Sequence, residues 1–158
     1  MHVTIELAIA PTDDVRALVA ELEETLAAEY PPEQRHGLAL DAIFQPHVRF
    51  FLARRDDAAV GCAGVALFDG FAELKRMYVR PTARGSGVAE ALLARIEAVT
   101  RDAGLACLCL ETGDRQIAAM RFYSRMGFRT RAPFGAYTAM PRSAIETSLF
   151  FEKQVPGA

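Results

Sequence analysis

The order of patterns between residues 71 and 111 constrains the fold more than any other feature of this 158-residue chain. The run FAELKRMYV is typical of a strand, and the loop RPTARGSG follows it. Apolar residues then recur at helical spacing, at Val88, Leu92, Ile96 and Val99. A short apolar run, LACLCLE, is typical of a central and partly parallel strand. Strand, helix and strand in this order predict a mixed α/β fold with a crossover connection.

The remaining patterns add strands and helices on both sides of that segment. Residues 2–10 alternate as a half-buried strand does, and residues 11–30 have apolar positions at helical spacing before two prolines end the helix. A shorter helix is expected within residues 33–46, around GLALDAIF. We predict further strands at 47–55, 59–68, 71–79, 105–111, 128–132 and 146–153, a helix at 115–126 and a loop at 133–144. Together these elements predict one domain that spans residues 1–158.

Charge and chain features argue against several classes of partner. Lys and Arg number 18 and Asp and Glu number 20, so the net charge of -2 gives no general attraction to nucleic acid or to an anionic membrane. The first residues lack the pattern of a signal peptide, and no apolar run approaches the roughly 18 residues that cross a bilayer. We therefore expect a cytoplasmic protein with neither nucleic acid nor membrane as a partner.

The cysteines predict reduced thiols without a metal. Cys62, Cys107 and Cys109 are few and odd in number, which does not fit a disulfide framework. Cys107 and Cys109 alternate with leucines on one strand, so both thiols face the same side. A C-x-C pair without a second ligand pair is a weak metal signature, and free cysteine is commonly buried.

The glycine loop has three phosphate-binding interpretations, which its spacing separates. A Walker loop needs lysine after its last glycine, but Val88 follows Gly87. A dinucleotide fingerprint that starts at Gly85 needs a third glycine where Glu90 stands. The third interpretation is a helix N-terminus whose main-chain N–H groups hold an anion beside the guanidinium of Arg84. A plain strand-to-helix turn is the alternative.

Two motifs resemble those of the GNAT acetyltransferase superfamily. The stretch RGSGVA is similar to motif A of that family, in the strand, loop and helix context expected for it. The stretch QIAAMRFYSRMGF resembles motif B, a helix with an alanine, an aromatic pair and a closing Gly-Phe. The order of elements agrees over most of the chain. The resemblance implies a three-layer fold whose mostly antiparallel seven-stranded sheet splays between strands 4 and 5, with helices on its faces.

The resemblance also implies acetyl-CoA as the cosubstrate. The pyrophosphate would lie in the motif A loop, and the pantetheine arm would run along the preceding strand toward the splay. The expected contacts are Met77, Val79, Arg84, Gly85, Ser86, Gly87, Val88, Ala89 and Gln116. Gln116 departs from the family pattern, which often has asparagine there, although glutamine offers similar hydrogen bonds with a longer reach.

Acetyl transfer to an amine needs a base, an oxyanion donor and a proton for the departing thiolate. Glu73 is the first candidate base, because it resembles a glutamate that one branch of the family uses at this strand position. Glu111, at the end of the neighbouring strand, is the second, and an ordered water is a third option. The resemblance places the hydroxyl of Tyr123 near the CoA sulfur, and Tyr123 is the expected general acid because a phenol is a neutral donor at neutral pH. The alternatives are an ion pair for Glu73 and simple core packing for Tyr123.

The sequence says least about the acceptor of the acetyl group. By resemblance, candidates for its wall are Tyr30, Glu33, Phe134 and Tyr137, any of which could instead pack loops. We expect a primary amine of a small molecule or an amino-acid-like acceptor, attacked directly in a ternary complex. A peptide or protein amine, or a module that binds acyl-CoA without catalysis, are the alternatives. The resemblance also implies a homodimer.

Overall fold

The computed structural model describes residues 2–157, and seven strands within that range form one sheet. The strands are β1 (Val3–Ala8), β2 (Val48–Arg55), β3 (Ala58–Phe68), β4 (Phe71–Val79), β5 (Cys107–Gly113), β6 (Arg129–Arg131) and β7 (Ser148–Gln154). They lie in the order β1-β2-β3-β4-β5-β7-β6, and β4 with β5 is the parallel pair. The predicted α/β fold and its mostly antiparallel sheet are confirmed.

Helices cover both faces of this sheet. They are α1 (Asp13–Ala27), α2 (Val88–Asp102), α3 (Ile117–Arg125) and α4 (Arg142–Ile145). α1 buries Val15, Leu18 and Val19 against one face, whereas α2 and α3 pack on the other. α1 begins where the Thr12 hydroxyl accepts a hydrogen bond from the Val15 amide. Within residues 2–157 no helix has the length and apolar character needed to cross a membrane.

The structure differs from the prediction in two segments, a predicted helix and a predicted loop. Residues 33–46 contain no α-helix but two 3-10 turns, Pro32–Gln34 and Ala42–Phe44. The Arg76 guanidinium, from distant β4, donates to the main-chain oxygen of Leu38, so this backbone group is satisfied without a helix. The predicted loop at 133–144 contains the 3-10 turn Gly135–Ala139 and the start of α4.

β4 and β5 separate after three residue pairs, which opens the sheet. Residues 72–74 pair with residues 108–110, but β4 continues to Val79 and β5 to Gly113 without further pairing to each other among the described residues. β4 also has a bulge, because Arg76 and Met77 together lie opposite Ala63. Arg76 takes a positive φ of 56° there. The Cys62 thiol donates to the Arg76 carbonyl at 3.3 Å and supports the bulge.

Candidate active site

A groove of about 540 Å³ runs between the end of β4, the start of α2 and the outer surface of α3. Eight of the nine expected cosubstrate contacts line it: Met77, Val79, Arg84, Gly85, Gly87, Val88, Ala89 and Gln116. Ser86 is the exception, because its hydroxyl turns back to donate to the Ala83 carbonyl. Leu22 and Thr25 of α1 form part of the opposite wall.

The start of α2 provides an open anion-binding surface in this groove. Gly85 and Gly87 have positive φ angles of 76° and 87°, which glycine adopts without strain. A Cβ atom added to either would meet no atom within 4 Å, so the loop faces open space. Gly87 provides no side-chain cap, and main-chain N–H groups of the first turn point out of the helix with its positive dipole end. Arg84 and Arg125 add guanidinium groups to the same groove.

A smaller cavity of about 120 Å³, here called the splay cavity, lies where β4 and β5 separate. It shares five lining residues with the groove, namely Leu22, Met77, Gln116, Ala119 and Tyr123. Glu73 of β4 and Glu111 of β5 line its other side. The structure therefore brings both candidate bases and the candidate acid to the end of the groove.

Tyr123 lies at the junction between the groove and the splay cavity. Its side chain is buried, and its ring packs edge-on against Phe122 and Phe128. Burial raises the pKa of the phenol well above its usual value, and the nearby Glu111 carboxylate raises the pKa further. The hydroxyl is therefore held neutral and can donate a proton or a hydrogen bond.

Glu111 is largely withdrawn from water and has one close polar partner. The Ser148 hydroxyl donates to its Oε2 at 2.6 Å. Burial raises the pKa of the Glu111 carboxyl, while that hydrogen bond and the charges of His36 and Lys75 act in the opposite direction. A carboxyl with a raised pKa is closer to the range in which a general base works near neutral pH.

Glu73 has a different environment, although it is buried in the same cavity wall. The Tyr137 hydroxyl donates to Glu73 Oε2 at 2.7 Å, and Lys75 Nζ lies 3.3 Å from the same oxygen. Lys75 Nζ also donates to the Tyr137 oxygen at 3.2 Å and to the His36 carbonyl at 2.9 Å. Glu73 thus belongs to a compact, charge-compensated cluster.

The acceptor-wall candidates lie in different environments. Tyr137 lines the splay cavity, and Phe134 is buried against its ring. Tyr30 is not among the residues that line the three described cavities, and its hydroxyl accepts a hydrogen bond from the Arg115 amide at 2.7 Å. That contact ties the end of α1 to the loop before α3. Glu33 is exposed on a 3-10 turn.

Sequence reasoning missed Lys75 and His36 as members of the site. Lys75 could have been found, because it lies two residues after Glu73 on the same face of a strand. His36 has no such local signal, since a segment without regular structure brings it to the site, where its ring meets Tyr137 edge-on at 5.5 Å.

The cysteine pair lies outside this site. Cys107 and Cys109 share one strand face as predicted, with their sulfurs 3.6 Å apart. Together with Glu152 they place three ligand-type atoms within 4.8 Å of one another. Arg129 and Arg131 already pair with that carboxylate, and burial raises the pKa of the Cys109 thiol to about 12. Cysteine binds a metal cation as the thiolate, and the two guanidinium groups repel a cation, so both features disfavour a metal site here.

Comparison with known proteins decides the family. Residues 15–128 match the family model described as the acetyltransferase (GNAT) family. The chain belongs to the GNAT acetyltransferase family. The predicted enzyme class is therefore confirmed, and this GNAT protein is an acyltransferase of the N-acetyltransferase type.

Relatives of this GNAT protein share both its sequence and its fold. An "IAA acetyltransferase" of Azospirillum brasilense is 42% identical over 154 residues, which is 96% of this chain and 97% of that protein. An "aminoalkylphosphonate N-acetyltransferase" of Salmonella typhimurium is 30% identical and covers 78% of this chain and 84% of its own. A crystal structure from Klebsiella pneumoniae, assigned to the acyl-CoA N-acyltransferases, has 34% identity and a TM-score of 0.75, with 98% of each chain covered.

A more distant structure extends the fold comparison. The PaiA N-acetyltransferase of Thermoplasma acidophilum, solved in complex with coenzyme A, has a TM-score of 0.72 at 18% identity. It covers 98% of this chain and 99% of its own, so the fold is shared over the whole length.

Proposed function

We propose that this GNAT protein transfers the acetyl group of acetyl-CoA directly to a primary amine within a ternary complex. One observation carries the proposal: the groove at the start of α2 leads into the splay cavity, where Tyr123, Glu111 and Glu73 meet. A donor bound along the groove and an amine bound beyond the splay would therefore come together beside an acid and two carboxylates.

The groove offers groups of the kind that bind coenzyme A. Acetyl-CoA supplies the acetyl group as a thioester. The first-turn N–H groups of α2, with Arg84 beside them, would hold the pyrophosphate. The main chain of Met77 and Val79 would hold the pantetheine arm, because β4 has no strand partner on its β5 side after Leu74 in the described part of the chain. Gln116 lines both cavities and would contact the arm near the splay.

The two carboxylates are suited to different tasks. A free alkyl amine has a pKa of about 10.4, so it must lose a proton before or during attack. Glu111, whose pKa burial raises, is the base that we propose for this proton. Glu73 is already paired with Lys75, and we assign it to orienting the amine beside that pair. Tyr123 would give a proton to the departing sulfur, because its neutral hydroxyl lies where the groove and the splay cavity join.

The test is coenzyme A thiol release with a panel of primary amines. Tyr123→Phe and Glu111→Gln should each lower kcat by about 100-fold, which is typical of a lost acid or base. Glu73→Gln should act mainly on KM for the amine. Glu24→Gln, on the exposed side of α1, is the matched control and should retain wild-type rates.

Two outcomes would contradict the proposal. Release of no thiol with any amine, despite measurable acetyl-CoA binding, would favour a module that binds acyl-CoA without catalysis. Wild-type rates in both Tyr123→Phe and Glu111→Gln would show that these residues are not the acid and the base, although the transfer reaction itself would still be supported.

A further inference from the structure

A third cavity, of about 570 Å³, opens on the other side of the Glu73 cluster from the groove. We call it the aromatic cavity, and its lining includes His47, Phe68, Asp69, Phe71, Tyr137 and Met140. It shares His36, Gly37, Glu73, Lys75 and Tyr137 with the splay cavity. The splay cavity therefore shares lining residues with both the groove and the aromatic cavity, and a molecule in the aromatic cavity would lie directly beside the splay. The volume lies within the range of small-molecule sites.

Aromatic rings form one wall of the aromatic cavity. His47 and Phe68 have centroids 5.5 Å apart, and Phe68 stacks on Phe71 at 5.1 Å with an interplanar angle of 28°. Phe71 meets the buried ring of Phe134 edge-on at 5.7 Å, which fixes the wall from behind. Phe68 nevertheless remains 40% exposed. Aromatic rings that line a cavity and remain accessible are typical of small-molecule binding sites.

The charged groups that line the aromatic cavity favour a ligand cation over a ligand carboxylate. The ionisable groups among its lining residues are the carboxylates of Asp69 and Glu73, the ammonium of Lys75 and the imidazoles of His36 and His47. Lys75 is already used by Glu73, Tyr137 and the His36 carbonyl. Asp69 is exposed and forms no ion pair within residues 2–157. A ligand cation would thus meet an unpaired carboxylate, whereas a ligand carboxylate would meet that same carboxylate and no uncommitted lysine or arginine of the lining.

We propose that the aromatic cavity binds the acceptor, and that the acceptor is a primary amine on an aromatic body without a carboxylate. This inference rests on the proposed transfer reaction and narrows it, since it removes amino acids from the expected substrates. In the step itself the amine nitrogen bonds to the acetyl carbon as the carbon–sulfur bond breaks. One amine proton passes to the protein base, and one proton returns to the sulfur.

The first experiment compares four amines in the thiol-release assay. 2-Phenylethylamine has the ring and the amine, phenylalanine adds a carboxylate, phenylalaninol replaces that carboxylate with a neutral group, and ethylamine lacks the ring. We expect kcat/KM for 2-phenylethylamine and phenylalaninol to exceed those for phenylalanine and ethylamine by about tenfold or more. Equal values for 2-phenylethylamine and ethylamine, or a preference for phenylalanine, would overturn the inference.

The second experiment measures binding and does not depend on turnover. Titration calorimetry with 2-phenylethylamine, with and without coenzyme A, should detect binding that Phe68→Ala weakens about tenfold. Ile9→Ala, which shortens a side chain that is 84% exposed after β1, is the control and should leave binding unchanged. Absent binding in both conditions, or equal binding in Phe68→Ala, would overturn the inference. Binding that depends on the ring, without thiol release, would support the aromatic cavity as a binding site for such amines. The same result would contradict the proposed transfer reaction.

Discussion

Two glutamates that line one cavity have been given different chemistry by their neighbours. Glu73 shares its Oε2 with the Tyr137 hydroxyl and Lys75, so its negative charge has a cation beside it. Glu111 has a serine hydroxyl instead, and burial dominates the pKa of its carboxyl. Two carboxyl groups in different environments commonly take different roles in one site. This contrast is the reason for assigning the base to Glu111.

The raised pKa of Glu111 also predicts a pH-dependent stability. The folded-state pKa lies above the ordinary glutamate value near 4.5, so folding favours the protonated form. The stability that this group contributes is complete below the ordinary value and is lost as pH rises through the folded-state pKa. Glu111→Gln keeps a neutral side chain at every pH. The free energy of unfolding of the wild type should therefore fall relative to that of Glu111→Gln as pH rises from about 4 toward neutrality.

Urea unfolding at a series of pH values measures this difference. Glu24→Gln, at an exposed position, should run parallel to the wild type over the same series. A constant difference between the wild type and Glu111→Gln would show that Glu111 does not keep a raised pKa.

The position of α2 depends on a close approach to β3. A Cβ atom added to Gly61 would lie 2.8 Å from the Tyr78 carbonyl oxygen and 3.2 Å from the Val88 side chain. Val88 is the first residue of α2, so this contact fixes the start of the helix against the sheet. The absence of a side chain at Gly61 therefore lets the glycine turn at the start of α2 lie close to the sheet.

Gly61→Ala should lower the free energy of unfolding by about 1–3 kcal/mol, because the added methyl group meets backbone that has no room to yield. Urea unfolding gives the value. Gly157→Ala, where an added Cβ meets nothing within 4 Å, is the matched control and should change stability little. Equal stability of the two variants would mean that α2 can move without cost.

Local patterns predicted the elements whose causes are local. Apolar residues at helical spacing identified α1 and α2, and alternation identified β1, because each buries one face. Three features had no local signal. The bulge at Arg76 depends on Glu23, Leu38 and Cys62, all distant in sequence. Residues 33–46 contact that same arginine, and the helix predicted around GLALDAIF from its polar and proline-containing ends was wrong.

The candidate site likewise contains parts that the sequence predicts and parts that it does not. The groove could be predicted from RGSG and the residues before and after it, because a strand, a glycine turn and a helix place those residues together. Tyr123 was predicted from the resemblance of its helix to motif B, and Glu111 from its place at the end of the strand beside β4. The aromatic cavity could not be predicted, because its wall joins residues near 47, 68 and 135 that only the folded chain brings together.

The proposed donor and acceptor surfaces of the molecule both border the splay cavity. The groove is built by α2, α3 and the end of β4, whereas the aromatic cavity is bordered by β3, β4 and the segment from Gly135 to Met140. They meet where β4 and β5 separate. Because the groove and the aromatic cavity share no lining residue, the donor site can be tested by binding alone, before an acceptor is known.

Acetyl-CoA should stabilise the whole fold by mass action. At 100 times its dissociation constant a ligand that binds only the folded state adds about 2.7 kcal/mol. Arg84→Ala should weaken binding by about 1.5–3 kcal/mol, as expected for a hydrogen bond to a charged group, and so lose much of the rise in Tm at that concentration. Arg16→Ala is the matched control, since each guanidinium donates to a nearby main-chain oxygen but Arg16 lies outside the groove lining. An equal rise in Tm in the two variants would show that Arg84 does not contact the phosphates, and no rise in the wild type would remove the donor site itself.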